Sequence, residues 1–149
     1  MGTLLDSTVF IRLERELRGL PPDRALSEVG GRLVSELGAH EEVGIAAITA
    51  SELLHGVHRA DRAHRGQREA FVEAVLDAFP PIPFDLRCAR VHARVWAELV
   101  AAGSDMGAHD RLVAATAIAI GWRVATVNVR HFQSIAGLAV VEPDLSPPG

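Results

Sequence analysis

Four residues far apart in the chain carry side-chain oxygens close to the ends of predicted elements. Asp6 closes a first predicted strand, Glu52 lies just past a second, and Asn128 follows a later one. Because the carboxyl ends of parallel strands open onto one edge of a sheet, these three are expected to lie together there. Asp110 opens an apolar helix that no strand precedes, so the same rule does not place it.

Carboxylates that share one edge repel and raise one another's pKa, so a cation must usually offset them. The available donors are mostly oxygens, and Cys88 is the only cysteine in the chain. Such a donor set favours Mg²⁺ or Mn²⁺ over zinc. An open carboxylate–metal site of this kind suits phosphodiester hydrolysis, since the metal acidifies a water and stabilises the departing oxygen.

Each carboxylate also has a purely structural alternative. Asp6 or Ser7 could cap the first helix, and Glu52 stands three residues after Thr49, which is the spacing of a capping box. Asp110 could be favoured by the positive end of its own helix. Taken singly these roles are common, but three carboxylates grouped on one edge are harder to explain without a bound cation.

The elements that must position these residues alternate between short apolar runs and longer helical patterns. Strands are predicted at 3–5, 43–48, 82–84, 123–127 and 138–141, and helices at 9–17, 23–37, from about 49, 62–79, 86–100 and 110–120. Prolines beside 82–84 suit an edge strand, and Gly30-Gly31 predicts a break in the second helix. The pattern predicts an α/β, three-layer sandwich around a central, mainly parallel sheet of about five strands.

Composition excludes several classes of protein. The 149 residues carry a net charge of −4, and all 15 basic residues are arginine. Without lysine the chain cannot be a Schiff-base enzyme, a P-loop NTPase or a kinase with a strand lysine. We expect one domain over 1–145, an irregular tail at 146–149, no membrane span and a cytoplasmic location.

Four segments, in order, resemble the motifs of PIN-domain ribonucleases, particularly the VapC-type toxins of bacterial toxin–antitoxin pairs. They are 4–11, 48–57, 107–117 and 126–138, and the likeness extends from residue 3 to about 143. By this resemblance Asp6, Glu52 and Asp110 are the metal ligands and Asn128 is a fourth catalytic position. Thr8 stands where Asn or Ser is usual, and His131 stands where an acid is often found.

The resemblance implies a Mg²⁺- or Mn²⁺-dependent endoribonuclease that cuts tRNA, rRNA or mRNA. It further implies a homodimer and a VapB-like antitoxin that blocks the cleft. One alternative is a catalytically weak PIN-like module that binds RNA or antitoxin, although the intact acidic triad speaks against it. Another is a haloacid-dehalogenase-type phosphohydrolase, which this chain resembles only at Asp6, since Thr8 replaces the second acid of that family.

For several residues near the predicted site, the sequence leaves more than one role open. Asp105 is expected to cap the following helix rather than join the cleft. His109 and His131 are either surface residues or substrate contacts, and Arg130 is a speculative contact to phosphate.

Two further features could bear on RNA. The segment 55–68 holds four arginines, and it is either a solvated face laced with Asp61 and Glu69 or a surface for RNA phosphates. Trp96 and Trp122 lie within apolar patterns and are expected in the core rather than as stacking platforms for bases.

Overall fold

Each of the first three strands is followed by two helices, and one short helix joins the last two strands. The structure is a computed structural model that describes residues 2–146. Its strands are β1 (Gly2–Leu5), β2 (Glu42–Ala46), β3 (Pro81–Ile82), β4 (Arg123–Ala125) and β5 (Val140–Val141). Its helices are α1 (Ser7–Glu16), α2 (Pro22–Leu37), α3 (Ala47–Arg59), α4 (Arg65–Ala78), α5 (Leu86–Ala101), α6 (Ala108–Ile120) and α7 (Val129–Phe132).

The five strands form one sheet in the order β3-β2-β1-β4-β5, and every neighbouring pair is parallel. In the central strand, Leu4 lies beside Gly44 on one side and Val124 on the other. The prediction of an α/β fold with a parallel sheet of about five strands is confirmed, and so is the edge position of β3. This topology brings the carboxyl ends of all five strands to one edge of the sheet.

Two hydrophobic cores lie on opposite faces of the sheet, because successive residues of a strand point to opposite sides. Leu5 belongs to a core with residues of α1, α2, α3 and α4. Leu4 belongs to a second core with residues of α5 and α6, against which Trp122 packs. A Cβ on Gly2 would lie 2.0 Å from the Trp122 indole. The three layers are therefore as predicted, and Trp122, which is partly buried, packs against the core rather than standing free.

The predicted break at Gly30-Gly31 is wrong, because α2 runs without interruption from Pro22 to Leu37. Its core face includes Val29 and Leu33, both buried. Each glycine costs a helix about 1 kcal/mol relative to alanine, and burial of one such side chain contributes about twice that. Packing therefore outweighs the weak local propensity of the two glycines.

Replacing Gly31 by alanine is expected to stabilise the protein. A Cβ at this position would meet no atom within 4 Å, so the change only removes the backbone freedom of the unfolded chain. We expect a gain of about 1 kcal/mol, or roughly 3 °C in the melting temperature. The matched control is Gly121→Ala, which should lower the melting temperature because Gly121 ends α6 with φ 72°. A lower melting temperature for Gly31→Ala would show that α2 is strained there.

Several boundaries also differ from the prediction. β2 ends at Ala46 and α3 begins at Ala47, so Glu52 lies in the second turn of a helix rather than just past a strand. Of the predicted irregular tail at 146–149, residues 147–149 lie outside the described residues. Within residues 2–146 no helix is both long enough and apolar enough to cross a membrane.

Candidate active site

Asp6 lies at the turn between β1 and α1 and is only 3% exposed. Its Oδ2 atom accepts hydrogen bonds from the hydroxyls of Thr8, at 2.8 Å, and Thr126, at 2.9 Å. Although Asp6 occupies the N-cap position, its side chain makes no capping hydrogen bond, so the capping alternative is wrong. The side chain is fixed through one oxygen, and no described residue forms a hydrogen bond to Oδ1.

The same two hydroxyls tie Asp6 to the end of β4. Thr8 Oγ1 accepts the backbone N–H of Val127 at 3.2 Å, and Thr126 Oγ1 accepts the backbone N–H of Asn128 at 3.0 Å. Asn128 is exposed and precedes α7 directly. The sequence analysis noted Thr8 only because it stands where Asn or Ser is usual in the family, and it did not single out Thr126. Its position two residues before Asn128 at a strand end was the available signal.

Glu52 projects from α3 and is partly exposed, with its Oε2 atom 3.8 Å from Nδ1 of His109. Its pKa lies above the ordinary value, chiefly because burial penalises the charged form, and the charges of Asp6 and Asp110 raise it further. The capping-box alternative is wrong, since the N-cap of α3 is Ala46. The hydroxyl of Thr49 is buried and has no hydrogen-bond partner among the described residues.

Asp110 lies in the first turn of α6, where the positive end of the helix favours a carboxylate. Its Oδ2 atom is 3.1 Å from Nδ1 of His131. Burial nevertheless raises the pKa of Asp110, and the charge of Asp6 raises it further, against the lowering effect of His131 and His109. The helix end and the histidines therefore do not fully offset the cost of a charge here.

The three predicted carboxylates thus lie within electrostatic range of one another, because Asp6 raises the pKa of both Glu52 and Asp110. Among the main causes of both shifts, only His109 and His131 favour the charged forms. Within residues 2–146, no three carboxylate, histidine or cysteine side chains converge closely enough to hold a metal ion as they stand. The site therefore has excess negative charge. Glu52 and Asp110 are partly exposed, so a change of side-chain rotamer could bring their oxygens closer to Asp6.

Of the other residues predicted near this edge, two histidines approach the acids, while Arg130 and Asp105 are exposed. His109 and His131 each approach one of the acids and are themselves exposed. Arg130 is exposed on α7, next to His131. The prediction that Asp105 caps α6 is wrong, because the N-cap is Gly107 and Asp105 is an exposed loop residue.

The basic segment at 55–68 has a mainly structural use in the described chain. The guanidinium of Arg65 donates to the carbonyls of His58 and Ala60, and Arg68 pairs with Glu14 at 2.8 Å. Asp61 pairs with His64 at 2.7 Å. Two of the four arginines therefore hold α3, α4 and α1 together, which leaves less of this segment free for phosphate.

The prediction that Trp96 lies in the core is wrong, because its side chain is 49% exposed on α5. The guanidinium of Arg111 lies 5.5 Å from the centre of its ring, and the ring of His92 lies 5.7 Å away. The apolar pattern around Trp96 is real, but it belongs to a second face of α5 that stays largely exposed within residues 2–146.

A family model described as the PIN domain matches residues 3–138, most of the chain. The chain belongs to the PIN-domain family. In this PIN domain, all four predicted site residues fall within the matched range. The match includes most of both cores and, apart from Gly2, every strand before β5.

Relatives and solved structures align with this chain over nearly their full lengths. Ribonuclease VapC1 of Rickettsia felis is 32% identical over 143 residues, which cover 95% of this chain and 96% of the relative. The crystal structure of VapBC2 from Rickettsia felis, bound to a DNA fragment from its promoter, aligns with a TM-score of 0.78 at 22% identity and covers 97% of this chain and all of that one. The crystal structure of FitAcB from Neisseria gonorrhoeae aligns with a TM-score of 0.71 at 26% identity, over 94% of this chain and 96% of that one.

Proposed function

We propose that this chain is a metal-dependent endoribonuclease and the toxin of a type II toxin–antitoxin pair, and that it hydrolyses RNA phosphodiester bonds. The observation that carries the proposal is the group of Asp6, Glu52 and Asp110 at the carboxyl edge of the sheet, where the charge of Asp6 raises the pKa of both Glu52 and Asp110. The relatives named VapC ribonucleases support the choice of RNA as substrate.

The donor set fits a hard divalent cation, and we propose Mg²⁺ or Mn²⁺. Asp6, through its free Oδ1, would hold the ion together with Glu52 and Asp110, and the amide oxygen of Asn128 would complete the polar surroundings. When bound, such an ion supplies positive charge against the phosphodiester and lowers the pKa of a water. Lasting repulsion among the three acids is the physical reason that a cation is expected here.

The side chains of the chain itself have separable roles in this proposal. The Asp6 carboxylate is held rigid by two hydroxyls, so it fixes the position of the reaction centre. Glu52 is partly exposed and its pKa is raised, so besides facing the ion it would orient the attacking water. His131, which hydrogen-bonds Asp110, and the neighbouring Arg130 would face the RNA phosphates.

The proposal is tested by incubating the purified full chain with total cellular RNA in Mg²⁺, in Mn²⁺ and in excess chelator. Cleavage in either metal and none in chelator is expected, with activity restored when the metal is added back. Cleavage that persists in chelator would contradict the metal mechanism. RNA binding without cleavage in any metal would favour the catalytically weak binding module instead.

The partners proposed for this function are a VapB-like antitoxin, which would cover the cleft, and a second copy of the chain in a homodimer. Structural neighbours that are VapBC complexes support the antitoxin. We propose that the protein acts in the cytoplasm, where its RNA substrates would be met.

Replacing Thr126 by valine is expected to lower RNA cleavage by roughly 10- to 100-fold, as is typical when a ligand loses the group that orients it. The change keeps the shape of the side chain but removes one hydroxyl from Asp6 Oδ2 and the acceptor of the Asn128 N–H. The matched control is Thr116→Val, which removes an equally buried hydroxyl that donates only to Leu112 within α6. Equal activity in both variants would remove Thr126 from the site.

A further inference from the structure

A groove between α1 and α3 opens onto the candidate active site. Glu52 lines it at the end nearest the acids, and Gly56 lies one turn further along the same side of α3. Ile11, Arg15 and Arg18 line the opposite side, which α1 and the turn after it form. We call this feature the α1–α3 groove. It leads from the centre of the site toward the far end of α1.

Beyond Glu52, the free charge of the α1–α3 groove is positive. Arg15 and Arg18 are exposed, and neither forms an ion pair within residues 2–146. The third arginine of the groove, Arg68, is neutralised by Glu14 at 2.8 Å. A guanidinium matches the geometry of a phosphate group, so two unpaired arginines near the end of α1 present a surface for neighbouring phosphates.

The shape of the groove suits a single strand of nucleic acid rather than a duplex. α1 and α3 contact each other, and helices in contact lie roughly 8–10 Å apart, which leaves no room for a double helix between them. Gly56 leaves the α3 side bare, since a Cβ there would meet no atom within 4 Å. Ile11 is 48% exposed and offers an apolar surface to an unstacked base.

We propose that the α1–α3 groove binds single-stranded RNA on one side of the scissile phosphate, with Arg15 and Arg18 holding neighbouring phosphates. This inference rests on the proposed function and specifies how its substrate is held. Contacts to phosphate carry no sequence information, so the groove supplies affinity and register rather than base selection.

The strand order supports this path for the RNA. β2 and β4 flank β1, so Glu52, which follows β2, and Arg130, which follows β4, lie on opposite sides of Asp6. A strand cut at the acids would extend past Arg130 in one direction and along the groove in the other. An acidic peptide would meet the same arginines, but RNA is favoured because the strand being cut must leave the reaction centre in both directions.

The salt dependence of binding tests the two arginines. The full-length chain is titrated, in chelator so that the RNA stays intact, into a fluorescein-labelled single-stranded oligoribonucleotide of mixed sequence, and binding is followed by fluorescence anisotropy. Each phosphate contact to a single strand contributes about 0.7 to the slope of log K against log salt concentration. Arg15→Ala and Arg18→Ala should each lower that slope by about 0.7 and raise Kd about fivefold at low salt. Arg24→Ala, at an exposed position of α2 outside the groove, is the matched control and should change neither quantity.

Gly56→Leu tests the groove without changing its charge. Leucine favours a helix, and its side chain would fill the open space beside this position. The variant should remain folded by circular dichroism and bind the oligoribonucleotide about tenfold more weakly. Gly66→Leu adds the same side chain at an exposed position of α4 and should bind as the wild type does.

Kinetics separate this inference from the function on which it rests. In the cleavage assay with Mg²⁺, Arg15→Ala and Arg18→Ala should raise KM and leave kcat within about twofold of the wild type, because they hold RNA away from the reacting phosphate. Absence of cleavage in every metal would overturn the endoribonuclease and leave the binding result standing. No binding by the wild type would overturn the groove as an RNA surface. Unchanged affinity and slope in both arginine variants would also overturn it and would leave an acidic protein segment as the occupant.

Discussion

Asp6→Asn and Asp110→Asn are each expected to lower RNA cleavage by roughly a thousandfold, which corresponds to about 4 kcal/mol of lost transition-state stabilisation. Both changes keep the size of the side chain and remove one negative charge from the group that would hold the cation. The measurement is the initial rate of cleavage of a fixed RNA in Mg²⁺ and in Mn²⁺. Growth on expression in a bacterial host provides a second readout, since the variants should not arrest it.

The matched control for these variants is Asp77→Asn, an exposed acid of α4 remote from the sheet edge. It should retain the wild-type rate. If Asp6→Asn and Asp110→Asn both kept that rate, the acidic group would be structural and the catalytic centre would have to be sought elsewhere. If only one of them lost activity, the two acids would have different roles, and the inactive variant would identify the essential ligand.

Asp110→Asn is also expected to stabilise the metal-free protein at neutral pH. Burial and the charge of Asp6 raise the pKa of Asp110, so its ionised form is disfavoured in the folded state. A carboxyl with a raised folded pKa contributes stability below its unfolded pKa, and that contribution is lost as pH rises through the folded pKa. Removing the charge should raise the melting temperature in chelator at pH 7 by about 3 °C, which is roughly 1 kcal/mol for a domain of this size.

The difference between Asp110→Asn and wild type should shrink as pH falls and vanish well below about 4, where the acid is protonated in both folded and unfolded chains. Glu52→Gln should follow the same pattern, since the pKa of Glu52 is raised as well. Adding Mn²⁺ at pH 7 should reverse the order, because the ion stabilises only the chain that retains its ligands. A variant less stable than wild type at pH 7 in chelator would show that the acids do not repel one another in solution.

Sequence patterns predicted the layers and the grouping of the acids because both follow from strong, local rules. Alternation in β1 divides Leu4 and Leu5 between the two cores, and parallel strands leave Asp6 at one edge with the residues after β2 and β4. Asp110 is assigned to the site only through the family resemblance, because its position depends on how α5 and α6 pack. The break at Gly30-Gly31 was predicted wrongly because propensity is local, whereas burial of Val29 and Leu33 is decided by the whole fold.

The details of the site were beyond sequence reasoning for a related reason. A hydroxyl can bond to any of several neighbours, so only the approach of α1 to the end of β4 shows that Thr8 and Thr126 share Asp6. Trp96 was assigned to the core because its helix is apolar on two sides, and periodicity cannot say which side the chain itself covers.

The hydroxyl bridge at Asp6 has a consequence for the dynamics of the chain. The amide protons of Val127 and Asn128 are held by the two threonine hydroxyls rather than by a neighbouring strand. They exchange with solvent when those hydroxyls release them, and the same hydroxyls also hold the carboxylate of Asp6. Slow deuterium uptake at these two amides would therefore report how often the centre of the site opens, in a protein that is neither bound to substrate nor turning over.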